Sequence, residues 1–293
     1  MKSIFKTSVL TMLALSVVFS TSCKKRAEEV ADEDLPEATV TENSESSQDD
    51  AQADEMYTHV YTVVHTEVSN VEEQSFKMEG STIDPDPNVT PYWHKDSIVV
   101  GPNKYYYIDT MIIDFGTTGS TWAGKTKKGK IRITKDKQLI TPTCITKVEL
   151  INFYIDGKLV EGTATLENKG LSGNELTLQA DVVGGKITNT DQTFATWDAT
   201  RTVLIQYFPT NVYATVSGNS TGCNHLGTTY SSTISDSDKL KFVHGCKYPL
   251  KGVVTLTETG KPNAVVNFGG GTGGCDNIAV VTVNGVKFKI TLD

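Results

Sequence analysis

From Ala27 to Phe76 the chain has no lysine and no arginine, against fifteen aspartates and glutamates. The rest, from Lys77 to Asp293, is nearly balanced, with 22 basic and 20 acidic residues. The formal charge of −8 therefore belongs to one segment. A basic nucleic-acid-binding domain is excluded on this ground. No stretch after the N-terminal signal approaches the roughly 20 apolar residues of a membrane-spanning helix. No two cysteines form C-x-x-C, which argues against a zinc site. His59, His65, His94, His225 and His244 show no H-x-x-x-H or H-E-x-x-H spacing, and there is no G-x-S-x-G. Neither a metal site nor a catalytic triad is encoded in a recognisable order. The acidic turns Asp84-Pro-Asp86-Pro-Asn88 and Ser235-Asp236-Ser-Asp238 lack the six to eight oxygens that calcium takes. No cofactor is expected.

The N-terminus carries an address. Lys2 and Lys6 precede a short apolar run, Val9 to Phe19, then Ser20-Thr21-Ser22 and Cys23. This is an export signal over residues 1–22. With its small residues before a cysteine it resembles the lipobox of bacterial lipoproteins, although Ser20 stands where leucine is usual. The resemblance implies that Cys23 becomes the first mature residue and carries the acyl chains. Each buried methylene contributes roughly 0.8 kcal/mol, so several chains anchor a protein stably. Residues 23–52 are rich in Glu, Asp, Ser and Thr and read as a disordered acidic tether. The stretch KKRAEEVADED resembles the surface-export signals of Bacteroidota lipoproteins, which favours the cell surface over the periplasmic face of the outer membrane.

Residues 53–76 place Met56, Val60, Val64, Val68 and Val71 three or four apart, the spacing of a helix face. Residues 77–293 are Thr-, Val- and Gly-rich and read as an antiparallel β domain. About twelve strands in an extended meander are expected, with a point of division near 208; a β-sandwich or open barrel is the alternative. Asp156-Gly157, Gly184-Gly185 and Asn284-Gly285 read as hairpin turns between alternating runs. Gly162, Gly218 and Gly252 share an apolar-x-Gly-x-x-Thr frame, which predicts a bend or bulge at each glycine.

The segment GSTWAGKT, Gly119 to Thr126, matches the phosphate-loop pattern G-x-x-x-x-G-K-[ST]. That loop needs a helix after it. Here Lys127-Lys-Gly-Lys-Ile-Arg-Ile-Thr134 alternates as a strand, so no nucleotide site is expected. Gly269 to Gly274 contains G-x-G-x-x-G but is likewise followed by a strand pattern. Cys144, Cys223, Cys246 and Cys275 make an even set in an exported chain, for which three pairings exist. Cys246–Cys275 is favoured because each borders a strand in the C-terminal meander, which leaves Cys144–Cys223 by subtraction.

Several segments together resemble an uncharacterised β-rich lipoprotein family of Bacteroidota. They are Asp114-Phe-Gly116 with Gly124 to Ile131, Val160-Glu-Gly-Thr163, Trp197-x-x-Thr-Arg-Thr202, Gly260-Lys-Pro262 and Gly274-Cys-Asp-Asn277 through Leu292. The resemblance implies a cell-envelope address and β architecture but no reaction. In those relatives a cysteine often stands at the position of Ser120, which implies that one family disulfide is absent. Cys246 and Cys275 fall where a second would be.

The expected function is that of a lipid-anchored, non-enzymatic binding or structural module at the outer membrane. Its partners would be the membrane, through the anchor, and a glycan or an envelope or host protein. A secreted glycan-acting hydrolase and a periplasmic scaffold are the alternatives. The candidate binding surface is Trp122 with Lys125, Lys128, Lys130 and Arg132. Tyr92, Trp93, Tyr105 to Tyr107 and Trp197 are further aromatic candidates.

Overall fold

The computed structural model describes residues 35–38, 43–76, 89, 91–100, 102–122, 124–207, 212–243, 246, 248–269 and 275–292. The expected export signal, Cys23, His244 and the acidic stretch Asp84 to Asn88 lie outside them. One helix, α1 (Ser44–Phe76), is followed by fifteen strands. These are β1 (Tyr92–Val100), β2 (Asn103–Asp114), β3 (Ser120–Trp122), β4 (Lys125–Lys135) and β5 (Ile145–Ile155). Then come β6 (Lys158–Ser172), β7 (Glu175–Thr188), β8 (Phe194–Tyr207), β9 (Val212–Cys223) and β10 (Thr229–Ile234). The C-terminal part holds β11 (Leu240–Val243), β12 (Gly252–Glu258), β13 (Ala264–Phe268), β14 (Ile278–Val283) and β15 (Val286–Thr291).

All fifteen strands form one antiparallel sheet, open rather than closed into a barrel, with neighbours in near-sequential order. Most strands pair with the one before, as in an antiparallel meander; β3 pairs only with β4, β11 pairs with β9, and β12 returns along β10. The sheet runs through β8 and β9, paired from Thr196–Cys223 to Tyr207–Val212, so the chain near 208 does not separate two sheets. Asp156 (φ 49°) with Gly157 (φ 83°), and Asn284 (φ 50°) with Gly285 (φ 81°), turn two of the hairpins. Both central residues have positive φ, which gives the turn the twist of the flanking strands.

Gly184-Gly185 is not a turn. It lies inside β7, where the register with β8 shifts between Val182 and Gly185. A Cβ on Gly185 would sit 2.1 Å from the Trp197 carbonyl, so the bulge is a point of close backbone approach. The repeated glycines share one conformation: φ is 120° at Gly162, 121° at Gly218 and 126° at Gly252. Gly162 sits at a register shift of β6 against β7, whereas Gly218 lies in regular pairing.

The helix begins at Ser44, so residues 44–52 are folded and do not belong to a tether. Its 33 residues span about 50 Å at ~1.5 Å each. It is buried on nearly every side: Tyr57, Val60, Tyr61, Val64 and Val68 are inaccessible, and so are Asp50, Asp54 and Glu72. Valine and threonine are indifferent helix formers. Burial compensates, at roughly 1.5–3 kcal/mol for each large apolar side chain. The concave face of the sheet closes over α1 with Ile113, Ile131, Ile133, Val148, Leu166 and Val203. Ahead of the helix, Glu37 forms a parallel bridge to Lys289 of β15. Lys289 N donates to Pro36 O (2.8 Å) and Ala38 N to Lys289 O (2.7 Å).

Candidate functional site

The acidic helix and the sheet interior are matched group by group. Asp54 accepts two hydrogen bonds from Arg201, from Nε at 2.9 Å and Nη2 at 2.8 Å. Both side chains are 1 % exposed. Asp50 accepts from Trp197 Nε1 (3.0 Å) and Ser220 Oγ (2.8 Å). Asp49 accepts from the main-chain N and Nδ1 of His225, each at 2.8 Å. Glu55 pairs with Lys125 and Glu72 with Lys135, all four buried. Burial pushes the Asp54 carboxyl up to about 7, against the opposing pull of the Arg201 guanidinium. Burial alone pulls His65 down to about 3, so its imidazole is neutral. Trp197 stacks on Tyr57 at 5.0 Å and is 2 % exposed, which makes it a core residue.

This pairing splits the predicted basic surface in two. In β4 alternate residues point inward, and Lys125, Lys127 and Lys135 are all buried. Lys125 is therefore no surface residue; it neutralises Glu55. Lys128, Lys130 and Arg132 face solvent. Lys128 lies 4.6 Å over the Tyr154 ring. Lys130 pairs with Asp114 (2.8 Å) and Arg132 with Glu149 (3.4 Å). These partners take much of the positive field from that face. Trp122 closes β3 opposite Lys125, and its side chain lies outside the described residues. The phosphate-loop match is a hairpin: Ser120–Trp122 and Lys125–Lys135 pair as strands, with no helix after Thr126. Tyr92 and Trp93 are exposed, as is Tyr106, whereas Tyr107 is buried. Among the described residues no group of three His, Cys, Asp or Glu is placed to hold a metal ion.

Cys246 and Cys275 form a disulfide with their Cα atoms 5.4 Å apart. Cys144 and Cys223 are not bonded; both are free thiols, which corrects the pairing drawn by subtraction. Cys144 is buried beside Thr146 and burial pushes its thiol up to about 11. Cys223 lies on β9 opposite Thr196 and Thr229, which leaves it no cysteine to meet across the ladder.

A different place gathers polar groups on the outside of the sheet. A shallow hollow of about 610 Å³ opens on β7, β8 and β9. Asp181, Val183, Asp198, Thr200, Asn219 and Thr221 contribute to its lining. Gly184 N donates to Asp198 Oδ1 at 2.6 Å, which ties the β7 bulge to β8. The bulge lifts Val183 into solvent, where it is 71 % exposed. Gln179 Nε2 donates to Asp181 (3.2 Å), and Thr233 Oγ1 donates to Asn219 Oδ1 (2.9 Å). These bonds hold the two carboxylates and the Asn219 amide in place. Sequence reasoning missed the hollow. Its one local signal was the exposed-strand alternation Thr196-x-Asp198-x-Thr200-x-Thr202 beside a double glycine.

Comparison of the chain with protein-family models, with curated proteins and with solved structures finds no match. Among the described residues no helix is long and apolar enough to cross a membrane.

Proposed function

We propose that the protein is a lipid-anchored module of the cell envelope, held through Cys23, that binds its partner on the outer face of its sheet. The observation that carries this reading is how the interior is used. The buried carboxylates Asp49, Asp50, Asp54, Glu55 and Glu72 are committed to groups of the sheet and its loops. The concave face therefore serves to hold α1, and recognition falls to the convex side. There a hollow lined by Asp181, Asp198, Asn219 and the exposed Val183 stands open to solvent. The export signal before Cys23, and the resemblance to Bacteroidota lipoproteins, support the outer membrane as the address, with the cell surface favoured.

Metabolic labelling with a palmitate analogue, followed by membrane fractionation and protease shaving of intact cells, tests the reading. Label on the wild type and none on Cys23→Ser is expected, with the β domain released by protease before the periplasmic control is lost. A labelled protein cut only after the outer membrane is opened turns the reading into a periplasmic scaffold. Label absent from the wild type sinks the anchor.

A glycan-acting hydrolase is the second reading, and one observation favours it: Asp181 and Asp198 share the hollow. Two carboxylates flanking a bound sugar are the requirement for that chemistry. Asp198 is held by the Gly184 amide, a positioning bond that suits binding equally well.

A further inference from the structure

We propose that the outer face of β7–β10 and β12 is a docking surface for a neutral polysaccharide lying across the strands. This rests on the reading of the protein as an envelope binding module and names the class of its ligand.

The register lines up two parallel rows. Asp181, Thr200, Asn219, Thr233 and Thr255 pair in succession across β7, β8, β9, β10 and β12. Asp198, Thr221, Ser231 and Thr257 do the same two residues away. Every one of these nine side chains ends in a hydroxyl, amide or carboxylate. They recur at the strand spacing of about 4.8 Å, and four spacings cover roughly 19 Å. That is the reach of a polymer segment rather than of one small molecule. Hydroxyls and amides both donate and accept, as a polyol ligand needs. The charges in the two rows are Asp181 and Asp198 alone, so a polyanion is repelled and a neutral chain is not.

The face is also built, beyond what solvated strands require. Asp198 and Asp181 are each held by a hydrogen bond, and Asn219 is oriented by Thr233. Among the described residues Val183 is the most exposed large apolar side chain, and the β7 bulge puts it there. An apolar lip beside fixed polar groups matches the two faces of a sugar ring. Polar groups that are already oriented lose less freedom on binding.

The test is affinity electrophoresis of the full chain in detergent, through gels containing xylan, glucomannan or hydroxyethylcellulose, with alginate as the anionic control. Retardation by at least one neutral polymer and none by alginate is expected. Val183→Asp and Asn219→Ala should each weaken it tenfold or more, and Tyr92→Ala, at the other end of the sheet, should leave it unchanged. All three positions are exposed, and circular dichroism of each variant checks that the fold is retained. No retardation by any neutral polymer, equal retardation of wild type and both hollow variants, or retardation by alginate alone overturns the proposal. Release of reducing ends from the bound polymer also overturns it, in favour of the hydrolase. Failure here with Cys23 labelling intact removes the ligand class and leaves the anchored module standing. Failure of labelling removes the anchor whatever the gels show.

Discussion

Arg201 carries one of the buried ion pairs of the core. Its guanidinium meets Asp54 in a two-bond fork and also reaches Ser232 Oγ at 3.3 Å. Removing one partner of such a buried pair costs about 3–5 kcal/mol, because the other charge is left without compensation. Arg201→Met should therefore lower the urea midpoint sharply, and Asp54→Leu with Arg201→Met should recover much of the loss. A double variant as unstable as the single one would mean that packing, not the pair, holds this point. His65 makes a second prediction. Its folded value is depressed to about 3 from an ordinary 6.5. The unfolded chain takes up that proton first, so the stabilisation is present above pH 6.5 and is lost as pH falls towards 3. The stability difference between wild type and His65→Gln should thus shrink from pH 7 to pH 4. A difference that stays constant over that window argues against a neutral buried imidazole.

At the scale of elements, the glycines separate two costs. Gly218 and Gly260 both have positive φ, at 121° and 79°. An added Cβ at Gly218 would lie 2.3 Å from the Thr200 carbonyl, whereas at Gly260 it would meet nothing within 4 Å. Gly260→Ala should cost about 1 kcal/mol, the backbone strain alone. Gly218→Ala adds a collision inside the sheet and should cost at least twice as much in a thermal melt. Equal shifts would show that β8 and β9 can part there freely. The frame shared by Gly162, Gly218 and Gly252 marked a common positive φ, but the bulge expected at each is present at Gly162 and not at Gly218. The strands were legible, since alternation and Asp-Gly turns are local signals. Gly184-Gly185 was misread because a turn and a bulge ask for the same residue. Lys125 was misread for another reason. Alternation tells which residues share a face but not which face is covered, and Lys125 and Lys135 of β4 turn inward where Glu55 and Glu72 of the helix lie.

For the whole molecule, that helix is the organising fact. Its start was hidden because Ser, Asp and Glu in residues 44–52 look like solvated tether, and their partners Trp197, Ser220 and His225 lie about 150 residues away or more in sequence. Removing residues 23–34, which precede the clasp on β15, should leave the melting temperature nearly unchanged. Removing residues 23–52 strips Asp49 and Asp50 from the core and should lower it by many degrees, as differential scanning calorimetry would show. Identical melting of the two truncations would restore the tether to residue 52. The outer hollow meets this network at Ser220, which lines it and donates to Asp50, and it escaped the sequence because its groups come together only through the register of β7, β8 and β9.

The short clasp of residues 36–38 on β15 gives the molecule a mechanical character. It is held by two main-chain hydrogen bonds at Lys289 and by Glu37, which pairs with Lys289 and accepts from Thr291 Oγ1, whereas the β6–β7 and β7–β8 ladders each pair twelve residues. The clasp is a fuse: under load it yields before those ladders and leaves α1 seated in the sheet.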